Sequence, residues 1–274
     1  MKFMTPEKQR AVCQLVGKQA KFAGKKAGKR ISREKTVSWN NATTEFRSKQ
    51  HLQWIENGIR TKFYQHFSSQ YDLVSTGTSE LVHDRGRPES VYTSLPNMVF
   101  VDIVSQIRRE LISTSVNVVF DGEHPVLSNL SATPFVLDGR QYGSVEAFIQ
   151  SLKYPLGPKR DSVELLSGFF AQRAGENPNN EICKCLRVGD RVFLHTSREI
   201  KLEFQSPQHL SAIETAIRAK FEQNPDAMSS LNATKQRPLI HNLTKAHQLT
   251  TSLTPKQFCA ILFRIRKNEA HPSD

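Results

Sequence analysis

The sequence predicts a helix-rich α+β fold made of two related lobes, the first of them truncated, and three observations carry that prediction. Shifted against itself by 158 residues, the 274-residue chain aligns Glu45–His83 with Glu203–His241 without a gap, and seventeen of these thirty-nine positions are identical. Within the match, apolar residues recur at helical spacing. Between the two copies stands a β-branched run, Val116 to Phe120, bounded by Asp121 and Gly122, which reads as a strand and then a turn. Stacked repeats have periods of about 20 to 50 residues. An offset of 158 is domain-sized and reads as a duplication.

Each element follows from local pattern. Leu52, Ile55, Ile59 and Phe63 are spaced three, four and four apart and line one stripe of a helix; Leu210, Ile213, Ile217 and Phe221 repeat it. These stripes are expected to be core. Arg60 with Lys62, and Arg218 with Lys220, fall off the stripe and are left to face a ligand or water. The offset continues by pairing Phe100, Ile103, Ile107 and Arg108 with Phe258, Ile261, Ile265 and Arg266. Each lobe therefore ends on a packed helix, Phe100–Arg109 or Phe258–Lys267, whose basic end suits the negative pole of the helix dipole. In "PFVLDGRQYGSVEAF" a strand, an Asp138-Gly139 hairpin turn and a helix capped by Ser144 follow one another. The region His124–Lys153 has no counterpart in the first copy, because the offset would place it before Met1. The expected organisation is a truncated lobe with a basic arm over 1–115, a full lobe over 116–268 and a tail over 269–274.

Composition narrows the function classes. Hydrophobic residues make up 38% and charged residues 23%, as in a globular protein, and no apolar run approaches the roughly 18 residues that cross a bilayer. The start, MKFMTPEKQR, lacks the apolar stretch of a signal peptide, so a cytoplasmic, intracellular location without membrane contact is expected. Four cysteines without disulfide-rich spacing agree with a reduced compartment. Cys183 and Cys185 form a C-x-C pair, but no second pair stands at zinc-finger spacing, so no metal is expected. Neither a phosphate-binding G-x-x-x-x-G-K-[ST] loop nor a G-x-S-x-G nucleophile elbow occurs, and no cofactor is implied. The net charge is +12, of which residues 1–36 supply +9 through eleven basic and two acidic side chains. Lys21, Lys25, Lys26, Lys29 and Arg30 could hold a polyanion by counterion release, so nucleic acid is a candidate partner; a solvated basic arm is the alternative.

The unmatched region carries "LSNL" at 127–130 and "LDGRQYGSVEAFIQSLK" at 137–153, and "AIRAKFEQNPDAMSSLNATKQRPLI" follows at 216–240. These segments resemble the NADAR, or YbiA-like, family. Its members show a Ser-Asn pair, a D-G turn, S-V-E-H-x-x-Q-x-x-K, then K-F-x-Q-N-P and Leu-x-x-Thr-Gly. The resemblance spans roughly residues 118–268, with the first lobe repeating its later part. It implies two YbiA-like lobes and an N-glycosidase that hydrolyses a ribose C–N bond, in a phosphorylated nucleoside or in an ADP-ribosyl adduct on nucleic acid. Carried over by motif, the catalytic carboxylate is Glu146, and substrate contacts fall to Ser128, Asn129, Tyr142, Gln150, Lys153, Phe204 and His241. Glu146, Gln150 and Lys153 stand at i, i+4 and i+7, so one helix face would present a carboxylate, an amide and an ammonium. An oxocarbenium-like transition state is served by such a carboxylate, while amide and ammonium groups hold hydroxyls or phosphate.

The pattern departs from the family at three places. Ala147 replaces the His after the family's Glu, and Phe204, with Phe46 in the first copy, stands near the family's Trp. His241 occupies the position of a later Glu, and no acid occurs from 242 to 253, where the family has an Asp. Two further readings therefore stand beside the hydrolase: a degenerate protein that binds a nucleotide or ADP-ribose without cutting it, and a nucleic-acid-associated protein delivered by its basic arm. His241 could supply the missing acid, but its duplicate His83 lies in a lobe without a Glu146 equivalent, which favours a shared packing role.

Overall fold

Two adjacent asparagines with positive φ, Asn40 at 50° and Asn41 at 64°, make the tight turn between β1 (Thr36–Trp39) and β2 (Ala42–Glu45). A two-residue type I′ turn needs positive φ at both central positions, which asparagine tolerates, and Trp39 pairs with Ala42 across it. The computed structural model describes residues 35–84, 93–176, 186–188, 191–196, 201–242 and 252–268, with Gln14, Gln19, Gly86 and Glu89. The basic residues Lys21, Lys25, Lys26, Lys29 and Arg30, and Cys13, Cys183 and Cys185, lie outside them. The chain divides into two units, Met1–Ser113 and Thr114–Asp274. Among the described residues no helix is long and apolar enough to cross a membrane.

In the first unit the hairpin leads into α1 (Lys49–Gln65) and α2 (Phe67–Ser75), and α3 (Asn97–Thr114) follows. The start of α1 explains one repeated string. Ser48 accepts a hydrogen bond from the His51 amide at 3.3 Å, while His51 Nδ1 accepts from the Arg47 amide at 2.9 Å. Arg47 adopts φ 63°, and the Phe46 ring lies 5.5 Å from the imidazole. Exactly this cap recurs 158 residues later: Ser206 accepts from the His209 amide at 3.2 Å, His209 Nδ1 from the Gln205 amide at 3.0 Å, and Phe204 lies 5.4 Å from His209. The shared F-x-S-x-Q-H string is thus an N-terminal cap in which serine and histidine each satisfy a backbone donor.

That cap has a pH consequence. Nδ1 can accept only while the ring is neutral, and burial pushes His209 from 6.5 down to about 4. Between those values the unfolded chain binds a proton that the folded chain refuses. Stability is therefore complete above pH 6.5 and falls as pH drops through the window, by up to about 1.4 kcal/mol per pH unit. Urea midpoints of wild type and His209→Gln across pH 4 to 6.5 test this; the variant should show a shallower dependence, and equal slopes would contradict the assignment.

Other paired identities are also contacts. Thr76 Oγ1 donates to Leu73 O at 2.6 Å and Thr234 Oγ1 to Leu231 O at 2.6 Å. Arg108 reaches Thr76 Oγ1 at 3.1 Å, as Arg266 reaches Thr234 Oγ1 at 2.8 Å. His83 packs on Phe100 and His241 on Phe258, with ring centroids 4.8 Å and 5.2 Å apart.

The second unit is the larger. A short parallel pair, β3 (Val116–Asn117) with β9 (Leu239–Ile240), stands where a longer strand to Phe120 is expected; the chain turns away after Val118, whose amide still donates to Ile240 O at 2.8 Å. A 3₁₀ turn (Pro125–Leu127) leads to the hairpin of β4 (Phe135–Leu137) and β5 (Arg140–Tyr142), closed by Asp138 and Gly139 with φ 51° and 75°. Helices α4 (Val145–Ser151), α5 (Pro158–Glu164) and α6 (Gly168–Glu176) follow. A three-stranded antiparallel sheet, β6 (Leu186–Val188), β7 (Arg191–His195) and β8 (Lys201–Glu203), precedes α7 (Pro207–Gln223), α8 (Pro225–Ala233) and, after β9, α9 (Pro255–Lys267). The result is α+β and helix-rich.

The repeated stripe behaves differently in the two units. Ile213, Ile217 and Phe221 are buried in α7, whereas Ile55, Ile59 and Phe63 are only half-buried in α1. The reason is the partner set: α4 and β4 pack on α7, and the region that forms them has no counterpart preceding α1. The expectation that the basic pairs face ligand or water also changes. Lys62 is exposed, Arg218 pairs with the buried Glu214 at 2.9 Å, and Lys220 is 1% exposed.

Candidate functional site

Helix α4 is the centre of the second unit. Ser144 caps it by accepting from the Ala147 amide at 3.0 Å, and Val145, Ala147, Phe148, Ile149, Gln150 and Ser151 are all buried. A helix covered on every side carries only core residues. The exception is Glu146, half-buried in the first turn, where the helix dipole favours a carboxylate. Its own amide donates to Asn129 O at 2.9 Å. Asn129 belongs to a tight turn that begins at Ser128, whose Oγ accepts from the Leu130 amide at 3.2 Å.

Glu146 and Gln150 meet as expected. The Gln150 Nε2 donates to Glu146 Oε1 at 2.6 Å, which leaves Gln150 Oε1 buried without a partner. An amide is oriented by its network, and facing its nitrogen to the carboxylate commits the oxygen to the other side. Asn129 Oδ1 is likewise buried and without a partner. Buried oxygens of this kind are uncommon in folded proteins.

Lys153 is placed differently from its expected helix face. Helix α4 ends at Ser151, and Lys153 stands just beyond the C-cap Leu152, its amide donating to Gln150 O at 3.1 Å. Its Nζ turns back and donates to Gly175 O at 3.1 Å. Gly175 on α6 is the floor beneath both side chains: a Cβ there would stand 1.6 Å from Gln150 Oε1 and 2.9 Å from Lys153 Nζ. Gly175→Ala should therefore drive the Gln150 amide away from Glu146. Forcing a methyl group against a buried side chain costs about 1–3 kcal/mol, so the variant should melt at a lower temperature than wild type, and an unchanged melting temperature would refute the contact.

Lys220, expected off the apolar stripe, is 1% exposed. Its Nζ donates to Ser128 O at 2.8 Å and to Ser131 Oγ at 2.9 Å, and burial pushes its pKa down to about 7. It props the turn that presents Asn129 to Glu146. Lys62, the matching residue of the first unit, has no such turn to support.

The other expected contacts go elsewhere. Tyr142 is 1% exposed and packs between Phe135 and Phe148, with ring centroids 5.4 Å and 5.2 Å away. Phe204 belongs to the α7 cap on His209. His241 Nδ1 bonds Val118 O while its ring meets Phe258, and burial lowers its pKa. Among the described residues no group of three potential ligands could hold a metal. An open groove of about 720 Å³ lies between α7 and α9, lined by Leu210, Glu214, Leu253, Gln257, Ile261 and Arg264 among others, and contains none of the expected site residues.

The junction that supplies Glu146 is stitched to α5. Gly143 donates to Glu164 O at 2.7 Å and Ser144 Oγ to Leu166 O at 3.1 Å. A Cβ at Gly143 would meet Leu165 O at 2.5 Å and Leu166 O at 2.6 Å, so only glycine permits the approach.

Comparison with known sequences places this unit. The sequence profile of the family described as Bacteriophage protein GP30.3 matches residues 124–267, more than half of the chain. The chain belongs to this family. An uncharacterized 17.1 kDa protein in the Gp30-rIII intergenic region of Enterobacteria phage T4 is 31% identical over 143 residues, covering 51% of this chain and 88% of the phage protein. Among solved structures, the NMR structure of the E. coli protein YbiA shares 18% identity over 57% of this chain and 88% of its own, with a TM-score of 0.38. The GP30.3 match begins at His124 and so contains Ser128, Asn129, Glu146, Gln150, Lys153, Gly175 and Lys220, while the first unit lies outside it.

Proposed function

We propose that the second unit of this GP30.3-family protein hydrolyses a ribose C–N bond, with Glu146 against the sugar. The observation that carries the reading is the placement of Glu146: it is the one residue of a buried helix that is not buried, its carboxylate is held by Gln150, and the turn at Asn129 fixes its backbone. In the reaction, water adds to the anomeric carbon and the C–N bond breaks with its electron pair going to the base nitrogen. The proton lost by water balances that nitrogen. Glu146 orients the water and offsets positive charge as it develops on the ring.

The charge distribution favours one substrate form. With +9 of the net +12 in residues 1–36, an ADP-ribosyl adduct on nucleic acid is the better electrostatic match than a free nucleoside phosphate. The first unit is a truncated duplicate; the recurrence of the serine-histidine cap, the Thr–Arg lock and the His–Phe contact at one offset supports this.

One observation favours a second reading, binding without cleavage. His241, the group that could replace the family's lost acid, is committed to Val118 O and Phe258. Chromatographic analysis of products from ADP-ribosylated oligonucleotide and from a phosphorylated pyrimidine riboside separates the two. Released ADP-ribose or free base supports hydrolysis; a ligand-dependent rise in melting temperature with intact substrate supports binding alone.

A further inference from the structure

The Ser128–Leu130 turn holds more than Glu146. Asn129 O accepts from the Glu146 amide at 2.9 Å, and the next carbonyl, Leu130 O, accepts from the Gly168 amide at 2.7 Å. Consecutive carbonyls of one turn thus fix both the helix carrying the carboxylate and the first residue of α6. The residue after Gly168 is Phe169, which is 49% exposed although the unit buries Phe135, Phe148, Phe221 and Phe258. It meets half-buried Phe120 edge to face, with ring centroids 5.5 Å apart and planes at 73°. An edge-to-face pair leaves ring surface available for stacking a third planar group.

We propose that Phe120 and Phe169 form an aromatic wall that stacks the base of the ribosylated ligand. The proposal rests on the reading of Glu146 as the group against the sugar. In an N-riboside the base is bonded to the reacting carbon, so whatever binds the base must stand near the carboxylate, and α6, which carries Phe169, packs directly on α4, which carries Glu146. Base–aromatic stacking tolerates any base, because each presents a π face. The wall would therefore select a planar nitrogenous base without reading its edge. Phe170, the neighbouring residue, is 75% exposed and is the natural control.

The test uses the full chain and 2-aminopurine riboside 5′-monophosphate, whose fluorescence is quenched on stacking. Wild type should quench saturably, Phe169→Ala should weaken binding about tenfold, Phe169→Tyr should restore it, and Phe170→Ala should match wild type. Thermal melts of Phe169→Ala equal to wild type show that its fold is intact. Absence of saturable quenching by wild type, or a Phe169→Ala titration identical to it, overturns the wall. Base release from a ribosylated substrate that ignores Phe169 removes the wall and leaves hydrolysis standing. Phe169-dependent quenching without any base release keeps the wall and removes hydrolysis.

Discussion

Arg160→Met should lower the free energy of unfolding of the second unit by about 3–5 kcal/mol, the cost of breaking a buried ion pair from one side. Arg160 is fully buried; its Nε donates to Glu164 Oε1 at 2.8 Å, and its Nη1 donates to His195 O at 3.1 Å and Thr196 O at 3.2 Å. The guanidinium ties α5 to the end of β7, and methionine of similar volume would remove those two hydrogen bonds. Glu164 would keep Arg140, which donates to its Oε2 at 2.8 Å and also pairs with Asp161. That second partner places the loss toward the lower end of the range. Replacing both members, Arg160→Met with Glu164→Leu, should recover part of it, because no buried charge is then left. Because Glu164 O also accepts from Gly143, the single variant should loosen the entry to α4 and reduce activity. Urea denaturation of the two variants measures this, and a wild-type midpoint in Arg160→Met would contradict the role of the pair.

Much of this architecture is legible in the sequence because it depends on local chemistry. Asp138-Gly139 and Ser144 make the turn and the cap that their residue types suggest, and the spacing of Glu146 and Gln150 brings them together as one helical turn requires. The repeated Phe, Ser and His are legible as identities, although their meaning as a cap needs the backbone. What is not legible depends on what packs against what. The stripes of α1 and α7 read alike, yet only the second is buried, because α4 and β4 cover it. Lys220 looks like a surface cation until a turn ninety-two residues away closes over it. Gly175 shows its purpose only when Gln150 and Lys153 converge on it, and the brevity of α4, which leaves Lys153 in a turn, is not visible in the spacing.

Glu146→Gln should reduce base release by about 10²–10⁴-fold, the range for removing a group that acts on a proton or on charge in the transition state. Glutamine preserves the size of the side chain and can still accept from Gln150 Nε2 through its own carbonyl oxygen, so the fold and the affinity for substrate should be retained. The loss should therefore appear in kcat with KM little changed, the pattern of an interaction made in the transition state rather than in the ground state. Glu146→Ala would remove the hydrogen bond as well and cannot separate positioning from chemistry.

The most direct measurement is the initial rate of base release from an ADP-ribosylated oligonucleotide by wild type and by Glu146→Gln, at matched thermal stability. Turnover by wild type that falls at least about 10²-fold in the variant is the expected result. Equal rates for the two proteins, or no release by wild type from a substrate that it demonstrably binds, would contradict a catalytic carboxylate at the mouth of α4.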